Sequence, residues 1–176
     1  MSGDQYLASE DSALLRRALE GRSGERCLEI GVGNGGNLVL LAEGFHLVVG
    51  TDLVRPSMND WRQVGANFVV ADGASCIRDG SFDLVAFNPP YLPGPVEDRA
   101  VDGGTSLEVP KTFLREAIRV AKGSGEVVFV LNEEAELEEF RRIALEGGFA
   151  LRTIASKKLF YEELTAYKAS AETSRS

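Results

Sequence analysis

Residues 28–37 read LEIGVGNGGN: a short apolar run enters a glycine-rich loop, and an apolar helical pattern follows. Glycine lets a backbone turn tightly and approach a ligand closely, and the helix start beyond it offers unpaired N–H groups. Gly31, Gly33 and Gly36 also match the GxGxxG fingerprint of dinucleotide-binding proteins. The stretch therefore predicts a strand, a ligand-binding loop and a helix. It leaves the ligand open, and a plain glycine-rich turn is the alternative.

The rest of the chain alternates short apolar runs with amphipathic segments. The apolar runs cover 26–30, 46–50, 67–71, 82–87 and 126–131, and the helical patterns cover 12–19, 37–42, 56–65, 110–121 and 133–146. Short apolar runs bounded by turn residues are typical of strands buried on both faces in a parallel sheet. Two consecutive strands without a helix between them, 149–154 and 159–167, then predict an antiparallel edge. The alternation predicts a single α/β domain over residues 1–168, and we expect a disordered tail over 169–176.

Composition narrows the classes of function. The chain has 176 residues, 44% of them hydrophobic, and a net charge of −8, which disfavours a dedicated duplex-DNA binder. No apolar run approaches the roughly 20 residues that span a bilayer, and no secretory signal is present, so we expect a cytoplasmic protein without membrane contact. Cys27 and Cys76 are expected to be buried free thiols. With His46 they show no metal-ligand spacing, and no metal is predicted.

Three carboxylates come at or near the ends of consecutive predicted strands: Glu29, Asp52 and Asp72. Open α/β sheets bind ligands at the carboxyl ends of their strands. Asp52 follows Gly31 by 21 residues, a spacing at which an acid takes ribose hydroxyls. Glu29 would repel a pyrophosphate, but it suits a ligand that carries an ammonium and a sulfonium. Each acid taken alone is equally typical of a helix cap or a turn.

The motif Asn88-Pro89-Pro90-Tyr91 ends the buried run 82–87. The prolines stop the strand and fix the backbone, so that the Asn88 side chain and the Pro89 carbonyl are held as two acceptors. Two acceptors that grip a planar NH₂ group direct its nitrogen toward a methyl donor. Tyr91 can pack against the flat group. A strand-terminating turn with a core tyrosine is the alternative.

Together these motifs resemble the class I S-adenosylmethionine-dependent methyltransferases of the HemK-like family, and above all its short archaeal and eukaryotic branch. The resemblance covers about residues 6–168 and rests on residues 6–12, the loop 29–35, Asp52, Asp72 and residues 87–91. It implies a seven-stranded, mostly parallel, Rossmann-like sheet with helices on both faces and an antiparallel last strand. It also implies methylation of the side-chain amide of the glutamine in the Gly-Gly-Gln motif of a translation termination (release) factor.

The resemblance further implies roles for individual residues. The implied cofactor-binding positions are Tyr6, Ser12, Glu29, Gly31, Gly33, Asp52, Leu53, Asp72, Gly73 and Asn88. The implied catalytic positions are Asn88, Pro89, Pro90 and Tyr91. The chain departs from the family at residues 103–109, GGTSLEV, which are one residue shorter than the family's Gly-Gly-x-x-Gly-x-Glu-Val stretch and lack its third glycine.

The family's sheet order implies that the predicted strand 67–71 lies at an edge. The strand is apolar and has no lysine or proline to protect it, and such an edge invites pairing with another chain. Trp61 and Val64 are expected to add an exposed apolar patch beside it. The resemblance implies a small zinc-binding activator subunit that adds a strand to this edge. Cover by the protein's own loops is the alternative.

Other functions stay open at this point. An adenine-specific nucleic-acid methyltransferase would use the same motif, because adenine also presents a planar amine. The negative charge, the short chain and the scarcity of basic clusters beyond pairs such as Arg16-Arg17 disfavour it. Animal members of the family have been linked to histone lysine, so a protein lysine methyltransferase is a further alternative. A non-catalytic nucleotide-binding subunit would not need the Asn88 motif.

Overall fold

The computed structural model describes residues 3–56, 60–89, 92–93, 102–104, 107–131, 137–160 and 163–171. The helices are α1 (Gly3–Leu19), α2 (Gly36–Leu41), α3 (Asp60–Gln63), α4 (Glu108–Val120) and α5 (Leu137–Glu146). The strands are β1 (Gly24–Ile30), β2 (Phe45–Asp52), β3 (Asn67–Val70), β4 (Phe82–Phe87), β5 (Leu92–Pro93), β6 (Asp102–Gly104), β7 (Ala121–Leu131), β8 (Phe149–Lys158) and β9 (Glu163–Ala171).

Seven strands form one sheet in the order β3-β2-β1-β4-β7-β9-β8. Five neighbouring strands of this sheet run parallel to one another: β3, β2, β1, β4 and β7. The strand β9 runs antiparallel to both β7 and β8. The predicted seven-stranded mixed sheet is therefore confirmed, and so is the edge position of the strand that begins at Asn67. The strand order reverses between β1 and β4, which opens a crevice at the carboxyl ends of these two strands.

Both faces of the central strands are buried, which explains why these strands read as continuous apolar runs. On one face, Phe87 and Phe129 stack with their ring centroids 4.9 Å apart, beneath residues such as Leu114 of α4 and Phe140 of α5. On the other face, Leu84 and Val128 belong to a second cluster formed with α1 and α2; its helical members are Leu14, Leu15, Leu19, Leu38 and Leu41. The two clusters fix the strand ends on which the site is built.

Several predicted boundaries are wrong. The first helix begins at Gly3 rather than residue 12, and the third covers only Asp60–Gln63 within the described part of the predicted segment 56–65. The expected tail is wrong at 169–171, because β9 continues through these residues and Ala169 is buried between Leu151 and Val127. Residues 133–136 and 172–176 lie outside the described residues. Cys27 is buried as expected, but Cys76 is exposed.

None of the helices in the described part of the chain is both long enough and apolar enough to cross a membrane.

Candidate functional site

A cleft of about 360 Å³ lies at the reversal point of the sheet. Four residues that the sequence predicted for the site line it: Ser12, Glu29, Gly31 and Asn88. The register explains why strand ends converge here. Ile30 aligns with Thr51 on one side and with Phe87 on the other, so Gly31, Asp52 and Asn88 follow at the same edge of the sheet.

The glycine loop is held by backbone contacts from the end of β2. The N–H of Gly31 donates to the carbonyl of Thr51 at 2.8 Å, and the N–H of Gly33 donates to Oδ2 of Asp52 at 3.0 Å. Gly31 and Gly33 have φ angles of 73° and 53°, in the left-handed region that favours glycine. The loop therefore needs glycine at these two positions to wrap around the end of β2.

Glu29 is a buried carboxyl group with one satisfied oxygen. Its Oε1 accepts a 2.7 Å hydrogen bond from Nδ2 of Asn37, and its Oε2 is buried without a hydrogen-bond partner among the described residues. Burial raises the pKa of Glu29 to about 8; the Asn37 hydrogen bond opposes this shift, and the charge of Asp52 adds to it. A cation that reached Oε2 would reverse the effect of burial, so the residue fits a positively charged ligand group.

Asp52 is fixed in orientation by two backbone donors. Besides the bond from Gly33, its Oδ1 accepts from the N–H of Val54 at 3.1 Å. A carboxylate oxygen has two lone pairs, so both oxygens of Asp52 keep capacity for ligand hydroxyls. Leu53, the next residue, is 45% exposed beside it. Neither residue lines the cleft itself.

Asn88 follows β4 directly and lines the cleft. Its Oδ1 is buried, and nothing in the described part of the chain donates a hydrogen bond to it. Because a buried acceptor without a donor costs about 1–3 kcal/mol, a donor group of a bound ligand would stabilise this atom. Pro89 is buried next to it. Pro90 and Tyr91 lie outside the described residues.

Asp72 and Gly73 are not among the described residues that line the cleft. Asp72 is exposed in the segment after β3, which begins with a 3.0 Å hydrogen bond from the N–H of Ala71 to the carbonyl of Asp52. Gly73 is buried with a φ angle of 59°. Tyr6 lies in α1, and its side chain is outside the description.

The prediction from sequence missed three polar residues of the cleft: Arg16, Asn34 and Asn37. Asn37 orients Glu29, and Nη1 of Arg16 donates to the carbonyl of Gly36 at 3.1 Å, which ties α1 to the glycine loop. Arg16 is one of a pair of arginines that read as a solvated helix face. Its contact lies 20 residues away in the chain, and no local pattern signals it.

Within residues 103–109, which depart from the family pattern, Leu107 has an unusual backbone conformation. Leu107 caps the start of α4 with a φ angle of 55°, a left-handed conformation that is uncommon for leucine. Its side chain is buried, and its carbonyl accepts from the N–H of Lys111 at 3.1 Å. Packing thus holds at Leu107 a backbone conformation that glycine would adopt freely. Residues 105 and 106 lie outside the described residues.

Comparisons of the sequence and the structure with known proteins find methyltransferases. Residues 28–89 match the family model of a methyltransferase domain. The chain is 29% identical over 181 residues to a candidate protein N5-glutamine methyltransferase of Methanocaldococcus jannaschii, covering 93% of this chain and 90% of the relative. It superposes with a TM-score of 0.74 on a chain of the E. cuniculi Mtq2–Trm112 complex, which is responsible for methylation of the translation termination factor eRF1. That match has 27% identity and covers 93% of this chain and 96% of the other.

The chain has the fold of the class I S-adenosylmethionine-dependent methyltransferases, and the matches to its sequence support methyl transfer. A further structural likeness, with 16% identity and a TM-score of 0.60, is to a complex of the Haloferax volcanii Trm112 methyltransferase activator with a candidate methyltransferase. The match covers 91% of this chain and 89% of the H. volcanii chain. At this identity the likeness concerns the fold.

The polar groups of the site are complementary to those of S-adenosylmethionine. The free, buried Oε2 of Glu29 suits a ligand that carries an ammonium and a sulfonium, and the glycine loop with Asp52 leaves acceptors for hydroxyls beside it. No group of three His, Cys, Asp or Glu side chains that could hold a metal ion occurs within the described ranges.

Proposed function

We propose that the methyltransferase transfers a methyl group from S-adenosylmethionine to the side-chain amide nitrogen of a protein glutamine, and that this glutamine lies in the Gly-Gly-Gln motif of a translation termination factor. The observation that carries the proposal is the position of Asn88, which lines the cleft and whose buried Oδ1 accepts no hydrogen bond from the described residues. A glutamine amide supplies such a donor. The name of the M. jannaschii relative supports glutamine as the acceptor, and that of the E. cuniculi complex supports a termination factor as the substrate.

A glutamine amide is a poor nucleophile because its lone pair is delocalised into the carbonyl group. Asn88 Oδ1 and the carbonyl of Pro89 would each accept one N–H of the NH₂ group, which fixes its orientation and stabilises positive charge that develops on the nitrogen. Both acceptors follow a fully buried strand, so they are rigid before the substrate arrives. S-adenosylmethionine, when bound, supplies an electrophilic methyl group on its sulfonium.

For the cofactor, we propose that Glu29 binds the ammonium, that Asp52 binds the ribose hydroxyls with Leu53 against the adenine, and that Asp72 accepts from the adenine amine. Gly31, Gly33 and Gly73 shape the backbone that meets the ligand, and Tyr6 and Ser12 of α1 cover it. The position of Ser12 on the cleft wall and the tie between Arg16 and the glycine loop support a covering role for α1. Pro90 and Tyr91 would complete the substrate grip.

We further propose that the edge strand β3 binds a small zinc-binding activator subunit. Val69 and Val70 of this strand are 39% and 66% exposed, and Leu53 and Val54 continue the apolar surface with 45% and 72%. One edge of β3 is paired with β2, and its other edge is the end of the sheet. The complexes of the E. cuniculi and H. volcanii structural relatives with Trm112 support a partner of this kind.

Trp61 is not part of this surface. The expectation that it adds an exposed patch is wrong, because its ring is 5% exposed and lies against Phe68, with ring centroids 5.9 Å apart. Val64, 43% exposed, does remain on the surface. The activator surface is therefore defined here as Leu53, Val54, Val69 and Val70.

A methyl-transfer assay with radiolabelled cofactor tests the proposed function on three acceptors. These are a termination factor, the same factor with the glutamine of its Gly-Gly-Gln motif replaced by alanine, and an adenine-containing oligonucleotide, each with and without a Trm112-type subunit. We expect label only on the intact factor, and more label with the added subunit. Label on the oligonucleotide but not on the factor would overturn the proposal in favour of an adenine methyltransferase.

A further inference from the structure

Two polar side chains of α4 form hydrogen bonds with the backbone of the segment that follows Asp72. Oε2 of Glu116 accepts a 2.7 Å hydrogen bond from the N–H of Ala74, and Nη2 of Arg119 donates to the carbonyl of the same residue at 2.8 Å. Nη1 of Arg119 donates to the carbonyl of Ile77, also at 2.8 Å. Two side chains of one helix thus hold both backbone polar groups of Ala74.

The fit between Glu116 and this segment depends on glycine at position 73. Gly73 is buried, has a φ angle of 59°, and a Cβ placed on it would lie 2.0 Å from Oε2 of Glu116. On the other side of Asp72, the N–H of Ala71 is bonded to the carbonyl of Asp52. Asp72 is therefore a single exposed residue between two anchored peptide groups, one fixed to β2 and one fixed to α4.

The same helix supports the cleft through Phe113. Its ring meets Phe87 edge to face at 6.0 Å, immediately before Asn88, and lies 3.7 Å from the position of a Cβ on Gly31. The helix α4 is packed against α5 and against β4 and β7, and Leu114, Ala117, Ile118 and Val120 of its apolar face are buried. The grip on the segment 72–77 therefore comes from a rigid element that also sets the positions of the glycine loop and the substrate motif.

We propose that Glu116 and Arg119 are positioning residues that hold Asp72 where it reads the exocyclic amine of adenine, and so set the selectivity of the site for an adenine-containing cofactor. The proposal rests on the proposed function, because it assumes that Asp72 faces the adenine of S-adenosylmethionine. A peptide that is displaced by about 1 Å loses much of the free energy of a directed hydrogen bond. Without Glu116, the segment keeps its anchor at Ala71 and the Arg119 contact to the Ala74 carbonyl, but the N–H of Ala74 loses its acceptor.

The test measures affinity rather than activity. Binding of S-adenosylhomocysteine is compared with binding of S-inosylhomocysteine, which carries a carbonyl group where adenine carries its amine. We expect the protein to prefer the adenine compound, and we expect Glu116→Ala to lower the ratio of the two affinities about tenfold. Glu116→Gln keeps an acceptor for Ala74 and should retain most of the preference. Arg119→Lys keeps the charge but loses the two-pronged guanidinium contact, and should also lower the ratio.

Glu146→Ala is the matched control, since Glu146 is a glutamate of α5 whose hydrogen bond goes to the exposed Arg142. It should leave the ratio unchanged. A merely structural role of Glu116 would lower the melting temperature and leave the ratio as in the unsubstituted protein; that result, or an unsubstituted protein without preference, overturns the inference. If S-adenosylhomocysteine does not bind at all, the proposed function itself fails, so the two failures are distinguishable.

Discussion

Asn37 Nδ2 and Glu29 Oε1 are joined by a hydrogen bond of 2.7 Å across the turn between the glycine loop and α2. The bond fixes the carboxyl group and leaves its second oxygen, Oε2, buried without a partner among the described residues. The pKa of Glu29 is raised to about 8 because burial penalises the charged form. In the ligand-free protein near neutral pH, the Glu29 carboxyl group is therefore largely protonated and uncharged.

The first prediction concerns the pH dependence of ligand binding. A ligand ammonium binds the ionised form of Glu29, so binding below pH 8 releases a proton. The affinity for S-adenosylhomocysteine should rise as pH increases from about 6 to about 8, by up to about tenfold per pH unit, and level off above that. Titration calorimetry in two buffers of different ionisation enthalpy measures the affinity and the proton release.

Glu29→Gln is the control for this prediction, because glutamine keeps an acceptor for Asn37 and does not titrate. The variant should bind more weakly, with the rise between pH 6 and pH 8 removed. An unsubstituted protein whose affinity and proton release do not change over this range would contradict the assigned role of Glu29.

The second prediction concerns Asn88→Ala. The substitution removes an acceptor that has no donor among the described residues, so folding and binding of S-adenosylhomocysteine should be unchanged. Methyl transfer should fall by about 10²-fold or more, because one preorganised dipole at the reacting nitrogen is lost. Turnover close to that of the unsubstituted protein, in an assay with labelled cofactor, would remove Asn88 from the mechanism.

The third prediction concerns Asp52→Ala. This change removes the acceptor for the N–H groups of Gly33 and Val54 together with the proposed ribose contact. We expect a larger loss in cofactor affinity than in the rate of the saturated enzyme. Asp52→Asn, which keeps one acceptor oxygen, should lie between the two. Calorimetry that shows unchanged affinity for S-adenosylhomocysteine in Asp52→Ala would rule out the ribose role.

The fourth prediction concerns the activator surface. Val70 is 66% exposed, so Val70→Lys should leave the melting temperature of the chain nearly unchanged while it abolishes co-purification with a Trm112-type subunit. Leu145→Lys is the matched control, since Leu145 is 59% exposed on α5. Phe68→Lys would be a poor test because it also breaks the contact with Trp61. Equal co-purification of Val70→Lys and Leu145→Lys would exclude β3 as the binding edge.

The sequence predicted the sheet well for a physical reason. Strands buried on both faces must be apolar throughout, and turn residues must end them, so each parallel strand was visible as a run. The edge position of the strand 67–71 came from the family resemblance. Boundaries failed where tertiary contacts decide them: Ala169–Ala171 read as a small, polar tail, but pairing with both β7 and β8 makes these residues part of a strand.

Site residues could be predicted from sequence where they stand directly beside a recognisable strand end or glycine loop. Glu29, Asn88 and the glycines stand beside strand ends, and the structure brings Glu29, Gly31 and Asn88 to one cleft. Residues that act across the fold were not predictable. Glu116 meets Ala74 from 42 residues away, and nothing in the helical pattern of α4 distinguishes it from a solvated glutamate. Trp61 was misjudged because its burial depends on Pro56, Phe68 and the glycine loop together.

The most direct test of the central claim is mass spectrometry of a termination factor after incubation with the methyltransferase, a Trm112-type subunit and isotope-labelled S-adenosylmethionine. The account predicts one labelled methyl group on the side-chain amide of the glutamine in the Gly-Gly-Gln peptide, and its loss with the Asn88→Ala variant. A fully active preparation that leaves this glutamine unlabelled, or that places the label on another residue, would contradict it.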